Sequence, residues 1–308
     1  MLKYIGKRII TSIITIWVVI TLTFFLVRLM PGGPFEGDKI TPEIKANLEA
    51  KYGLDKPLSE QYTLYLKNLV KGDLGESMQF RGRQVSDTIK SGFPNSAKLG
   101  LVAIIFSMVV GIGLGIIAAL KANKWPDKVC MFIATLGITI PSFVLSAILI
   151  YIFASKLKIL PTTGFTGWKN YIMPVIALAG SSMAFITRLT RSKLLDVLKS
   201  DYIRTARAKG LSKKTVILKH ALRNSLIPVV TYLGPLVAGI MTGSFVVEKI
   251  FGIPGLGNEF VSTVSNRDYT ALLGVIVFYS TLVVVCNLIV DILYVVIDPR
   301  IKLDSIEG

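Results

Sequence analysis

Along most of this chain apolar residues come in unbroken runs, not in stripes. Five runs contain no charged side chain: residues 9–27, 99–120, 129–155, 224–247 and 269–290. A helix needs roughly 20 apolar residues to cross a hydrocarbon core of about 30 Å, and each run is close to or beyond that length. A sixth run, residues 170–187, is at the short limit. Because apolar positions do not alternate every second residue, the pattern predicts helices and not the strands of a transmembrane barrel. Six spans are expected. The first follows Lys3, Lys7 and Arg8 as a signal peptide would, but "LVRLMPGGPFEG" at its far end lacks a small-x-small cleavage pattern, so it is read as a retained anchor.

The polar intervals carry helix punctuation. In "TPEIKANLEAKYG", Thr41 can cap, Pro42 suits the first helical position, Ile44, Leu48 and Tyr52 recur at i, i+4 and i+8, and Gly53 ends the turn. A second helix is predicted from about Ser59 to Lys71, with Tyr62, Leu66 and Leu69 on one side. Both have one apolar face, which suits a structural cap over the span ends or a docking surface.

Composition agrees with a membrane protein: 52% of residues are hydrophobic, and the mean hydropathy is +0.61. The formal charge of +16 then reports mainly on topology. Lys3, Lys7 and Arg8, then Lys121, Lys124 and Lys128, then the long basic run, then Arg300 and Lys302 all fall on one side of six spans. The positive-inside rule makes that side cytoplasmic, with both termini there and residues 31–98 outside. Nucleic acid is not the implied partner.

The basic run is the densest charge in the chain. Between Arg188 and Arg223 stand eleven Lys or Arg against Asp196 and Asp201. Each would cost about 2.5 to 3.5 kcal/mol at a bilayer centre, so the run stays in water. Tyr202 to Lys209 reads as a short helix ended by Gly210, Ser212 caps a second helix reaching about Asn224, and Pro228 suits the start of the next span. Ile203, Ala206 and Gly210 form a stripe of little bulk flanked by Arg204, Arg207 and Lys209. That face suits either close approach by another protein, with guanidinium groups pairing to carboxylates, or rest against anionic headgroups.

Catalytic chemistry is poorly represented. Cys130 and Cys286 lie in predicted spans without metal or disulfide spacing, and His220, a packing residue in the second cytoplasmic helix, is the only histidine. Neither HExxH nor G-x-S-x-G occurs, and there is no GxxxxGK[ST] phosphate loop, so energy must come from another chain. Asp291 interrupts the last span, which fits pairing with a basic neighbour or a proton-coupled role. Pro141 and Pro174 are expected to bend spans three and four. The loop "EKIFGIPGLGNEF", residues 248–260, fits a turn re-entering span six, or a finger formed by Phe251, Gly252, Pro254, Gly255 and Gly257.

Several of these stretches together resemble the permeases of ABC importers. "RTARAKG" with "HALRN" and "LIP" resembles the cytoplasmic coupling loop, with Arg204 and Thr205 where Glu and Ala usually stand and Ala206 and Gly210 matching. "PGGPFEG", "YGLDKPLSEQY", "GDLGES", "SGFPNSAKLG", "IPSFV", "IFGIPGLG", "NRDY" and "VDILYVVIDPRI" occur in the order of the oligopeptide, dipeptide and nickel branch, closest to the B-type oligopeptide subunit. The resemblance implies an all-α integral membrane protein of six transmembrane helices. Its type I importer-like core, residues 99–298 with a coupling loop at 188–224, would follow an anchor (1–30) and an extracytoplasmic helical insertion (31–98), and a tail (299–308) would end it.

Further implications are a bacterial cell membrane, oligopeptide import, a second homologous permease subunit and an extracytoplasmic peptide-binding protein. Two ATPase subunits would carry ATP and Mg, this chain binding no cofactor itself. Arg204, Thr205, Ala206, Arg207, Ala208, Lys209 and Gly210 would contact the ATPase, and the loop at Phe251 to Gly257 would face the binding protein. A dipeptide or nickel permease, or an ion-coupled carrier, are the alternatives. The carrier reading requires transport by this chain alone.

Overall fold

The apolar runs become helices, some of them broken, and what distinguishes them is where proline and small residues let them bend or approach. The structure, a computed structural model, describes residues 2–30, 32–36, 41–241 and 245–297. The tail at 299–308, with Arg300 and Lys302, lies outside the described residues. Two compact units divide the described residues: those within 1–96 and 254–292, and those within 97–253 and 293–297.

The first unit contains α1 (Leu2–Leu29), α2 (Pro42–Lys51), α3 (Leu58–Val70), the opening turns of α4 (Val85–Leu120), α13 (Leu256–Ser265) and most of α14 (Tyr269–Ile297). Thr41 Oγ1 accepts from Ile44 N at 3.4 Å with Pro42 at the first helical position, and Gly53 leaves the helix at φ +65°, a conformation glycine adopts without penalty. The polar insertion packs on the spans through its aromatic face: Phe24, Val27, Phe35, Met78, Tyr269, Leu272 and Leu273 are buried together, with Leu48, Tyr52, Tyr62 and Tyr65 against them. Tyr62 and Thr21 share a hydrogen bond of 2.6 Å. Ile44, expected on that face, is exposed.

Asp268 of "NRDY" is fully buried and knots this unit: it accepts from Ser77 Oγ, from Met78 N at 3.1 Å and from Ala271 N at 3.1 Å, capping α14. Asp291 pairs with Arg8 at 3.2 Å, the basic partner expected for it. Among the described residues the one β pairing is an isolated bridge, Glu76 with Gln84.

The second unit holds the rest of α4, then α5 (Trp125–Thr139), α6 (Ser142–Leu149), wide π-type turns over Ile150–Lys156, and α7 (Lys169–Leu198). After these come α8 (Asp201–Ala208), α9 (Lys213–Thr215), further π-type turns over Val216–Ala221, α10 (Leu222–Ser225), α11 (Ile227–Met241) and α12 (Phe245–Phe251). Its core centres on Leu99, Met173, Ile186, Leu236 and Phe251. Small residues bring the helices together, as in membrane bundles. A Cβ at Gly115 would stand 2.5 Å from Thr190 Cβ, one at Gly111 2.9 Å from Ile186 Cγ2, and one at Gly137 2.6 Å from the Gly180 carbonyl.

Among the described residues, four helices are long and apolar enough to cross a membrane: Gly6–Leu29, Val85–Leu120, Lys169–Leu198 and Tyr269–Ile292. The count reaches the expected six when two bent pairs are each taken as one span. Proline's effect at span three is larger than a kink: Trp125–Thr139 and Ser142–Lys156 meet at 111°. Ile140 is extended before Pro141 (φ −87°, ψ 118°), as the clash with the proline ring dictates, and Pro141 opens α6. Pro174, by contrast, is carried inside the unbroken α7. The fifth run is also divided, with a 45° bend between Lys213–Ser225 and Ile227–Met241, and Pro228 in the first turn of the second piece.

Candidate functional site

The basic stretch forms a helix, a tight turn and a second helix. Asp201 stands in the first turn of α8 and Arg207 in the last, each sign where the helix dipole favours it. Gly210 closes the helix at φ +76°, its N–H donating to Arg207 O at 3.0 Å. An added Cβ there would meet nothing within 4 Å, so the need for glycine is conformational and not steric. Ser212 Oγ then caps the next helix, accepting from Thr215 N at 3.3 Å. Farther on, the π-type turns at Val216–Ala221 carry His220 half-buried.

Two residues of the stripe, Ile203 and Ala206, point inward, which corrects their reading as the approach face for another protein, while Gly210 stays exposed. Ile203 is fully enclosed and Ala206 is 7% exposed; they pack with Ala119, Leu194, Val216 and Ala221 of this same chain. The apolar stripe is the helix's own seat, because burying it there removes its apolar surface from water. Tyr202 reinforces the seat by accepting from Asn224 Nδ2 at 2.9 Å. The face left exposed consists of Arg204, Thr205, Arg207, Ala208 and Lys209, with Gly210 following. Arg204 meets Asp201 at 3.3 Å, with both side chains largely in solvent, so the pair is weak and open to exchange for an outside partner. A cleft of about 460 Å³ beside α8 is walled by Leu198, Arg207, Leu211 and Lys213 among others.

The loop after α12 is partly enclosed. Phe251, Ile253, Gly255, Leu256 and Gly257 are buried, while Gly252 (φ +61°) and Pro254 are exposed. Within the second unit, Gly164 N donates to Phe251 O at 3.1 Å. Within the first, Leu256 N donates to Ser96 Oγ at 2.9 Å and Asn95 Nδ2 to Pro254 O at 2.7 Å. Gly92 permits this approach, since a Cβ there would lie 3.0 Å from Leu256 N. "SGFPNSAKLG" is thus part of what pins the loop, a link between residues 160 positions apart that no local pattern contains.

Sequence reasoning also missed the ion pair that anchors the base of α7. Arg191 Nε and Nη2 donate to Asp127 Oδ1 and Oδ2, both at 2.7 Å, and Asn123 N donates to Asp127 Oδ2 at 2.8 Å. Cys130 and Cys286 are free thiols, and among the described residues no His, Cys, Asp and Glu cluster could hold a metal.

This bundle, with a seated basic helix joining two spans, defines a transporter permease: residues 111–303 match the family described as binding-protein-dependent transport system inner membrane component. Residues 1–99 match that of the N-terminal part of binding-protein-dependent transport system membrane components. The chain belongs to this family of ABC transporter permeases, and is the membrane component and not the ATPase. It is 48% identical to the oligopeptide transport system permease protein OppB of Haemophilus influenzae over 98% of this chain and all of that one. It is likewise 48% identical to the dipeptide transport system permease protein DppB of Bacillus subtilis, over 98% of this chain and 99% of the other. The fold is similar to that of the methionine ABC transporter MetNI in inward-facing conformations, with TM-score 0.58 and 18% identity over 68% of this chain and 96% of that one.

Proposed function

We propose that this chain is a peptide-import permease, forming half of a translocation pathway with a second homologous subunit. The observation that carries the reading is the near-complete alignment, at 48% identity, with permeases named for oligopeptide and dipeptide transport. Oligopeptides are the preferred substrate, on the strength of "PGGPFEG" and "SGFPNSAKLG".

Two ATPase subunits supply the energy. Arg204, Thr205, Arg207, Ala208, Lys209 and Gly210 meet the ATPase through the exposed face of α8, while Ala206 acts from inside by fixing that face. Arginine is suited to this task because its planar fork pairs with carboxylates in a fixed geometry. Nucleotide-driven closure of the ATPase pair then moves α8 together with the end of α7. The basic side is cytoplasmic, with both termini there, and the exposed Gly252 and Pro254 face an extracytoplasmic binding protein.

The test is reconstitution in proteoliposomes with the ATPase subunits and the binding protein. Uptake of a labelled pentapeptide should require ATP and should outcompete a labelled dipeptide. The reading fails if this chain retains no ATPase subunit on purification and moves peptide by itself under a proton gradient.

A further inference from the structure

A pocket of about 320 Å³ lies at the last turn of α1, entirely within the first unit. Arg28 from α1 and Tyr65 from α3 are in its wall. Arg28 is held firmly: its Nε donates to Gln61 Oε1 at 3.1 Å, and its guanidinium carbon lies 4.6 Å from the centre of the Phe24 ring and 5.6 Å from that of Tyr269. Gln61 is fixed in turn, its Nε2 donating to Leu54 O and Lys56 O at 3.1 and 2.8 Å.

So firmly placed a cation ordinarily has an anion. Here Arg28 Nη1 and Tyr65 Oη are both buried, and neither has a hydrogen-bond partner among the described residues. Two carboxylates share the wall, and both are engaged elsewhere. Asp73 Oδ1 accepts from Gly75 N at 2.8 Å; Glu76 Oε1 accepts from Gly82 N at 2.6 Å, and its Oε2 is 3.7 Å from Lys51 Nζ. With Lys51 and Lys56 at the same pocket, three cations stand against two carboxylates. Burial pushes the Tyr65 phenol up to about 12, partly offset by Arg28, so it remains a donor at any physiological pH.

We propose that this pocket binds an oxyanion of the phosphate class, held by the Arg28 guanidinium and the Tyr65 hydroxyl. The anion is a phospholipid headgroup or free phosphate. Its position suits the lipid source: Arg28 ends a span whose Leu22, Phe25, Leu26 and Leu29 are exposed, which puts the guanidinium at headgroup level. Guanidinium and hydroxyl groups together satisfy phosphate oxygens through charge-assisted hydrogen bonds.

The test uses the purified full chain in detergent, titrated separately with dioctanoyl phosphatidylglycerol and with inorganic phosphate, while the thermal unfolding midpoint is followed. Tyr65→Phe is the informative variant, because it removes an oxygen that nothing among the described residues partners. Its midpoint without added anion should equal or exceed that of the unaltered protein, while its half-saturating concentration for the anion should rise about tenfold, as expected for losing one hydrogen bond to a charged group. Arg28→Lys, which keeps the charge and loses the fork, should weaken binding as well. A response to the lipid alone identifies a headgroup site, and a response to phosphate as well identifies a free-anion site. The proposal is overturned if neither probe shifts the unaltered protein, or if Tyr65→Phe binds both as tightly.

Discussion

Arg191 grips Asp127 with two parallel hydrogen bonds of 2.7 Å, across 64 residues of chain. The Asp127 side chain is 5% exposed and that of Arg191 25%. Removing one partner of such a pair strands the other's charge, which for buried pairs costs about 3 to 5 kcal/mol. Asp127→Asn should therefore lower the unfolding midpoint markedly, while Lys128→Gln on the next residue should change it little. A melt of Asp127→Asn that overlays the unaltered protein would show that the α5–α7 contact does not depend on this pair.

Gly115 is a steric requirement. Its added Cβ would lie 2.5 Å from Thr190 Cβ and 2.8 Å from Thr187 O, and a backbone carbonyl cannot move aside as a flexible side chain can. Gly115→Ala should destabilise by about 1 to 3 kcal/mol, the usual range for overpacking, and Gly115→Val by more. Gly113→Ala, with nothing within 4 Å, is the matched control. Denaturation of the three variants side by side checks the order.

Gly210 is a conformational requirement. At φ +76° with open space around it, a β-branched residue is strained by about 1 to 3 kcal/mol, while asparagine, which tolerates the left-handed region better, costs less. Gly210→Val should leave the chain folded yet reduce peptide uptake per ATP hydrolysed several-fold, with Gly210→Asn intermediate. The ratio of uptake to hydrolysis in proteoliposomes is the measurement. Unchanged coupling in Gly210→Val would remove this turn from the path of force.

The Gly82 N–H holds the Glu76 carboxyl below the usual carboxylate range, helped by Lys51. A depressed pKa means that the ionised form is the one the fold favours. The stabilisation is thus complete above the ordinary glutamate value, near pH 4, and is lost as pH falls through the depressed one. Hydrogen exchange in residues 75–84 should accelerate in acid beyond its intrinsic pH trend. Glu76→Gln should be looser at neutral pH and should lack that extra acceleration.

Much of this architecture is legible locally. Thr41, Pro42, Gly53, Gly210, Ser212 and Pro228 each sit at the cap, turn or first helical turn that their chemistry implies, because those preferences depend on a few neighbouring backbone groups. Pro141 announces a break, but not 111°, since packing of the two pieces sets the angle. The direction of the Ile203 and Ala206 stripe was ambiguous for a related reason: small apolar positions at helical spacing look the same whether the surface they meet is the chain's own or another's. Asp127 with Arg191, Asp268 with Ser77, and Ser96 with Leu256 are matters of tertiary proximity, and nothing in the intervening sequence encodes them. Phe251 to Gly257 is legible only in part, because glycine and proline suggest an exposed loop even where, as at Gly255 and Gly257, they serve close packing.

The enclosed seat of Ile203 and the clasp between Tyr202 and Asn224 together oppose rolling of α8 about its own axis. A quarter turn would drag a large apolar side chain into water and break the tyrosine's tether. Were a partner to load α8 at Arg204 or Arg207, the force would pass on as tilt or sideways displacement, with little slack lost to spin.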